Sequence, residues 1–223
     1  MKRRPSQRDR ATTLRERNNP LVVFGAGGHG KVVCDILLCS GEAVLGFLDD
    51  SRPHGELHLG LPVLGGASWL DGREARVALG IGDNSARQRI AEACTNAGAQ
   101  LVTAIHPRAV VARSAAIEDG VVIMALAVVN ADARIERGAI VNTAAVVEHD
   151  CVVGAFAHVS PNSALGGSCT VDALAQLGIG ASMLPGTRIG RDAVVGGGAL
   201  VASDIAAGTS ARGVPARVRG AKG

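Results

Sequence analysis

The sequence predicts a β-rich α/β protein of two domains: a small Rossmann-like α/β unit, then a parallel β-helix of hexapeptide repeats. Three observations carry this. Apolar side chains recur every six residues from Ile105 to Val201 without a break. Aromatic residues are nearly absent, with three Phe, one Trp and no Tyr in 223 residues, although 47% of the chain is hydrophobic. Ahead of the repeat, a strand, a glycine-rich turn, a helix, a second strand and an acidic pair follow within about thirty residues, the order of a βαβ unit.

The repeat is the stronger signal. Seventeen positions, Ile105, Val111, Ile117 and so on to Val201, are all aliphatic or Met, and four residues after each comes a small side chain in 15 of the 17. Val121 and Ile205 are the larger exceptions. Gly, Asp, Asn and Glu fill the positions between, where turns fall. A period of six held for a hundred residues fits neither a helix nor an alternating strand; it marks a parallel β-helix. One large and one small inward residue per side suit a narrow triangular tube. Three hexapeptides complete one coil, so residues 18 apart stack at one strand spacing, about 4.8 Å.

The α/β unit reads as strands at 21–24, 43–48, 77–81 and 100–105, with an apolar helical run over 32–38 and a helix over 86–97. Its first strand ends in Gly25-Ala26-Gly27-Gly28-His29-Gly30-Lys31, and its second in Asp49-Asp50. Backbone N–H groups at such a strand-to-helix turn can meet an anion, and an acid some twenty residues on is placed for a ribose hydroxyl. The roughly 84 residues of this unit supply too little sheet for a whole dinucleotide, so a nucleotide carrying another group fits better. The plain alternative is a tight turn that closes a small domain. His54 and His58 are expected in an exposed loop.

Charge is divided unevenly. Residues 1–20 hold seven Lys or Arg and two acids, a net +5 out of a total of +3, which leaves the rest at −2. A mildly acidic body suggests no nucleic-acid groove. The basic tail is either a solvated extension or a weak attachment to an anionic membrane surface. It lacks the apolar core of a secretory signal, and the run from Val121 to Val129 is far shorter than the ~20 residues of a membrane helix. Five Cys, an odd number with no CxxC spacing, fit a reduced, cytoplasmic protein.

Two segments inside the repeat carry chemistry. In Glu148-His149-Asp150 the polar residues lie between the inward Val147 and Cys151, at a corner or on the outside. An imidazole oriented by a flanking carboxylate is a general base near neutrality. His158 is nine residues on, half a coil away, so the two histidines need not be neighbours within one chain. Two solvated histidines on a tube is the other reading. No convergent set of metal ligands is visible, and Cys151 and Cys169, both inward and 18 apart, read as stacked core residues. Gly196-Gly197-Gly198 and the arginines at 212, 217 and 219 either admit a phosphate-bearing ligand or cap the last coil.

Taken together, the chain resembles the hexapeptide-repeat acyltransferases, and most closely the bacterial nucleotide-sugar N-acetyltransferases that modify a 4-amino sugar. The related sialic acid O-acetyltransferases share the pattern. The resemblance rests on the segments 23–31, Asp49-Asp50, Asn142-Thr143, Val147-Glu148-His149-Asp150-Cys151, His158-Val159-Ser160-Pro161 and Gly213-Val214-Pro215-Ala216, and spans 21–219. It implies a left-handed β-helix, a homotrimer, acetyl-CoA as co-substrate and no metal. The implied domains are a basic tail (1–20), a nucleotide-sugar-binding domain (21–104), an acetyltransferase domain (105–205) and a C-terminal tail (206–223).

The same resemblance assigns residues. His149 is the implied base and Asp150 its acidic partner, one methylene shorter than the family's usual Glu. Asn142, His158, Gly167, Gly196, Gly197 and Arg217 fall to the acetyl-CoA site. Gly27, Gly28, His29, Asp49, Asp50, Gly82 and Asp83 fall to a nucleotide-sugar whose base, UDP, GDP or dTDP, stays open. The expected reaction is direct N-acetylation of a nucleotide-linked 4-amino-4,6-dideoxy sugar, in glycan or lipopolysaccharide assembly. O-acetylation of a sugar such as sialic acid is the alternative, and a non-catalytic trimeric scaffold the rival from another class.

Overall fold

The computed structural model describes residues 19–221. Most of the predicted basic tail, 1–18, lies outside the described residues.

The first domain runs β1 (Leu21–Phe24), α1 (Gly28–Cys39), β2 (Val44–Leu48), β3 (Leu57–His58), β4 (Leu61–Gly65), β5 (Arg76–Leu79), α2 (Asn84–Asn96) and β6 (Gln100–Leu101). The sheet order is β3-β4-β2-β1-β5-β6, parallel throughout except for the β3–β4 hairpin. Successive residues of β1 face opposite ways, so Leu21 and Val23 pack with Val33, Ile36 and Leu37 of α1. Val22 and Phe24 pack with Ala91 and Cys94 of α2 on the other side. A sheet buried on both faces explains the unbroken apolar run of β1.

The hairpin is a departure from the sequence reading, which had no strands between 48 and 77. It also buries His58, expected in an exposed loop. Its ring lies edge-on to Phe47 at 5.7 Å, with Nε2 3.0 Å from Glu56 Oε1. The expected strand over 100–105 splits in two: β6 ends the α/β sheet and Ala104–Ile105 begins the coil.

From there two-residue strands follow every six residues and stack into three faces. Face I holds Ala104–Ile105, Val122–Ile123, Ile140–Val141, His158–Val159, Gln176–Leu177 and Val194–Val195. Face II holds Val110–Val111, Val128–Val129, Val146–Val147, Ala164–Leu165, Ser182–Met183 and Leu200–Val201. Face III holds Ala116–Ile117, Arg134–Ile135, Val152–Val153, Thr170–Val171 and Arg188–Ile189. Partners are 18 apart, as in Val129 with Val147, and the inward aliphatic and small residues form one continuous core. Between Gly120 and Gly198 every sixth residue has a positive φ. These are the corners, and the Gly, Asp and Asn scattered through the repeat sit where left-handed backbone costs them least.

The segment read as a tail from 206 continues the sheet instead. Thr209–Arg212 adds in parallel to Val194–Val195, and Arg217–Ala221 returns antiparallel beside it.

The α/β domain sits on the first coils. Outward residues of face I, Ala104, Val122 and Ile140, are buried with Met124 against α1. Burial of each large aliphatic contributes about 1.5–3 kcal/mol. On the opposite side, Phe156 leaves its corner to enter the core beneath α2. Its ring lies over Gly138, where a Cβ would collide with it. Both contacts leave His158, the next outward residue of face I after Ile140, at the edge of the domain boundary.

Candidate active site

Three of the predicted residues meet at one corner. Residue 150 is a corner residue, φ 59°, and Asp is among the side chains that accept it most readily. The turn brings Asp150 Oδ2 to 2.7 Å from His149 Nδ1. An ionised carboxylate only accepts, so Nδ1 carries the proton and the lone pair lies on Nε2. His149 is exposed, and its pKa is raised above the ordinary value of 6.5, chiefly by that hydrogen bond and then by the charges of Asp150 and Glu148. Gly167, 18 residues on and one coil over, lies beside the ring: a Cβ there would stand 2.6 Å from Nε2. Gly167 is thus placed beside the His149 ring.

A second cluster forms where the domains meet. Thr143 N donates to Asn142 Oδ1 at 2.7 Å, which fixes the amide orientation. Asn142 Nδ2 therefore donates to His158 Nε2 at 2.9 Å, and the neutral ring of His158 holds its proton on Nδ1. His29, in the first turn of α1, packs edge-on against His158 with centroids 6.5 Å apart. His29 Nε2 is buried without a hydrogen-bond partner. Both rings are held neutral: burial, then the charge of Arg87, lowers His29 to about 4 and His158 to about 3.

The glycine-rich turn opens this side. Gly27 and Gly28 are exposed, with no atom within 4 Å of where a Cβ would sit, so a ligand can approach their backbone. Gly28 begins α1, and no side chain caps that helix. Gly25 and Gly30 approach each other and the strand end so closely that neither admits a Cβ.

The acids behave differently from the simple expectation. Asp49 Oδ2 accepts from Ala26 N at 2.8 Å, and Oδ1 from the Ser51 backbone and hydroxyl. Desolvation raises its pKa, but these bonds and Arg52 outweigh it, and the net shift is downward. Asp50 Oδ1 accepts from Ala67 N, and Asp83 Oδ1 caps α2 through Ala86 N at 2.7 Å. Each carboxylate therefore spends at least one oxygen on the protein's own turns. Gly82 lies next to His29: a Cβ built there would stand 3.9 Å from His29 Cβ.

The remaining predicted residues lie two coils further along face I. A cavity of about 270 Å³ is lined by Val194, Gly196, Ser210, Ala211, Arg212 and Arg219. Gly197 lies beside the backbone of Ile179, and Arg217 turns to the carbonyl of Ala216 at 2.9 Å. The cavity thus gathers Gly196 and two arginines other than Arg217.

The structure does not bring all the candidates together. His149 stands at the corner between faces II and III, whereas Asn142 stands between faces I and II and His158 on face I. Face II separates them within one chain. Sequence reasoning missed Arg87 and Asn84, which join the two domains behind His158. Their only signal was a polar pair just after the Gly82-Asp83 turn. Among the described residues no group of three or more His, Cys, Asp or Glu could hold a metal ion, and no helix is long and apolar enough to cross a membrane.

A hexapeptide coil with a carboxylate-oriented histidine at a corner, and a glycine-turn domain laid over its first coils, has the layout of a sugar-directed acyltransferase. Comparison narrows the class. The profile of the PglD N-terminal domain matches residues 20–94. A perosamine N-acetyltransferase from Caulobacter crescentus, solved with CoA and GDP-perosamine as a variant with one histidine changed to Asn, is 41% identical. That match covers 90% of this chain and 96% of the other, at a TM-score of 0.87. The acetyltransferase domain of PglB from Neisseria gonorrhoeae, solved with acetyl coenzyme A, is 37% identical over 89% of this chain and 98% of that one, at a TM-score of 0.84.

A curated UDP-N-acetylbacillosamine N-acetyltransferase of Bacillus subtilis is 36% identical over 118 residues. The matched stretch is 47% of this chain and about half, 51%, of that relative. The chain belongs to the hexapeptide-repeat nucleotide-sugar N-acetyltransferases, acetyl-CoA-dependent enzymes with a left-handed parallel β-helix.

Proposed function

We propose that this chain transfers the acetyl group of acetyl-CoA directly to the 4-amine of a nucleotide-linked 4-amino-4,6-dideoxy sugar, with His149 as general base. The observation that carries this is the 2.7 Å bond from His149 Nδ1 to Asp150, which leaves Nε2 as the basic nitrogen. The relative solved with GDP-perosamine in a histidine-to-Asn variant supports a histidine at the chemistry.

In the reaction the amine nitrogen attacks the thioester carbonyl and the C–S bond breaks. Nε2 of His149 takes the amine proton, and Asp150 stabilises the imidazolium. The coenzyme A thiolate leaves and is protonated in turn. His158, with Nε2 occupied by Asn142, offers Nδ1–H to the developing oxyanion without a change of charge. Among the described residues no activated Ser or Cys supports an acyl-enzyme: Cys151 and Cys169 are buried, and burial raises the Cys151 thiol to about 11. The glycine turn at Gly27-Gly28 with His29 and Gly82 takes the nucleotide-sugar. The cavity at Arg212 and Arg219 takes phosphates of coenzyme A, whose extended arm then reaches back along face I toward His158.

The separation of His149 from His158 by face II supports a homotrimer in which one protomer supplies His149–Asp150 and its neighbour the His29–Asn142–His158 cluster. The outward residues of face II, Val110, Val128, Val146, Ala164 and Leu200, are apolar apart from Ser182, a surface suited to burial between protomers. Equilibrium sedimentation tests the trimer.

Thiol release with acetyl-CoA against UDP-, GDP- and dTDP-linked 4-amino-4,6-dideoxy sugars, with free sialic acid included, tests the reaction. Amine-dependent release with one nucleotide is expected. Turnover on sialic acid alone moves the chemistry to O-acetylation, and silence from folded protein favours a scaffold.

A further inference from the structure

Arg87 is the largest fully buried side chain of the described residues, and no carboxylate pairs with it directly. Burial lowers its pKa to about 10, against the pull of Asp83, so it stays charged at neutral pH. A buried charge without an ion pair is costly, and here backbone carbonyls offset that cost. Nη1 donates to Ile81 O at 3.1 Å and Gly82 O at 2.9 Å, in the turn beside His29. Nη2 donates to Asn84 Oδ1 and to Phe156 O, both at 2.8 Å, with Ala157 O at 3.4 Å. Nε donates to Gly138 O at 2.7 Å. One planar fork therefore ties the turn under the nucleotide-sugar to the two coil corners that lead into Asn142 and His158. Asn84 adds to the join by donating Nδ2 to Leu174 O and Ala175 O.

We propose that Arg87 is a positioning residue for the reaction: by joining the Ile81–Gly82 turn to the carbonyls preceding His158, it holds His29 and His158 edge to edge across the domain boundary. This rests on the reading that those histidines face the two substrates. The titratable groups in its field are Asp83 at the cap of α2, His29 on α1 and His158 on face I. Burial first, and then the guanidinium, opposes a proton on either ring, so the fork that aligns them also adds to what keeps His158 a neutral Nδ1–H donor. Lys is a point charge on a flexible stem and cannot span six acceptors in two domains, but it retains the charge.

Two variants of the full chain, Arg87→Lys and Arg87→Met, separate these effects. Arg87→Lys should fold, with a melting temperature lowered by the acceptors it leaves unpaired, yet lose about 10- to 100-fold in kcat, since misplaced reacting groups cost that much. Its KM for the nucleotide-sugar should rise while that for acetyl-CoA holds. Arg87→Met should in addition raise the His158 titration midpoint, read by 15N imidazole NMR, whereas Arg87→Lys should leave it in place. Unchanged kcat and KM in a well-folded Arg87→Lys protein overturns the proposal. So does an equal rise in both KM values, whatever the melting temperature, the mark of a merely structural residue. If wild type turns over no nucleotide-sugar, the functional reading fails, and the titration still decides: identical His158 midpoints in all three proteins overturn the role of Arg87.

Discussion

His149 and His158 lie half a coil apart in sequence and share a tautomer, with the proton on Nδ1, yet their surroundings turn them into opposite reagents. His149 gives its Nδ1–H to Asp150 and presents a free lone pair, on an exposed ring whose pKa is raised. His158 gives its lone pair to Asn142 and presents a free N–H, on a half-buried ring whose pKa falls to about 3. One imidazole can take a proton at neutral pH; the other can only donate a hydrogen bond. The difference shows that the neighbours of a histidine, more than the histidine itself, decide whether it offers a lone pair or an N–H.

The contrast breaks most completely at the base. His149→Ala should lower kcat by roughly 10²–10⁴-fold with melting temperature and oligomeric state unchanged, as befits an exposed general base. Steady-state thiol release beside a thermal melt checks this, and normal turnover would remove His149 from the mechanism. Next comes Gly167→Ala, whose Cβ would fall 2.6 Å from His149 Nε2. The displaced ring should cost on the order of 10²-fold in kcat. If kcat holds and only the KM for acetyl-CoA rises, Gly167 touches the coenzyme, not the base.

Asp150→Asn sharpens the comparison through pH. A general base works when neutral, so activity should be lost as pH falls through the His149 pKa, which Asp150 raises. The variant should show its acid limb displaced to lower pH and about a tenfold lower kcat, within the range of general-base effects. A limb that stays put would assign the titration to another group.

The buried pair bears on stability instead of turnover. His29 and His158 have folded pKa values of about 4 and about 3, below the unfolded value near 6.5. The unfolded chain therefore binds protons first, and stability falls as pH drops from about 6.5 toward 4. Melting temperature measured across that window should decline, and His158→Gln should flatten the decline. Equal slopes in both proteins would mean that His158 does not carry it.

Legibility differed between regions for physical reasons. The corner at His149 was readable because the repeat has one fixed register: Val147 and Cys151 inward force the residues between them outward. The acids at 49, 50 and 83 were found as acids, but nothing local told that Ala26, Ser51, Ala67 and Ala86 would take their oxygens. The hairpin at 57–65 escaped because its strands are short and mixed with Gly and Pro, so no alternation survives. The cavity near the C-terminus held Arg212 and Arg219 and not Arg217: 217 and 219 would share a face of a regular strand, but the pairing slips at Arg219, between Val218 and Gly220.

The sequence by itself determined the coil, because every rung repeats the same local contacts: a large aliphatic inward, a small residue four later, a left-handed corner every sixth position. It also determined the glycine turn and the histidine–aspartate pair, which are adjacent in the chain. Only the tertiary structure decided how the α/β domain sits on face I, where His29 meets His158, and what Arg87 joins. Those contacts link residues about 50 to 130 positions apart, and those of Arg87 run through backbone carbonyls, which carry no residue identity for a sequence to display.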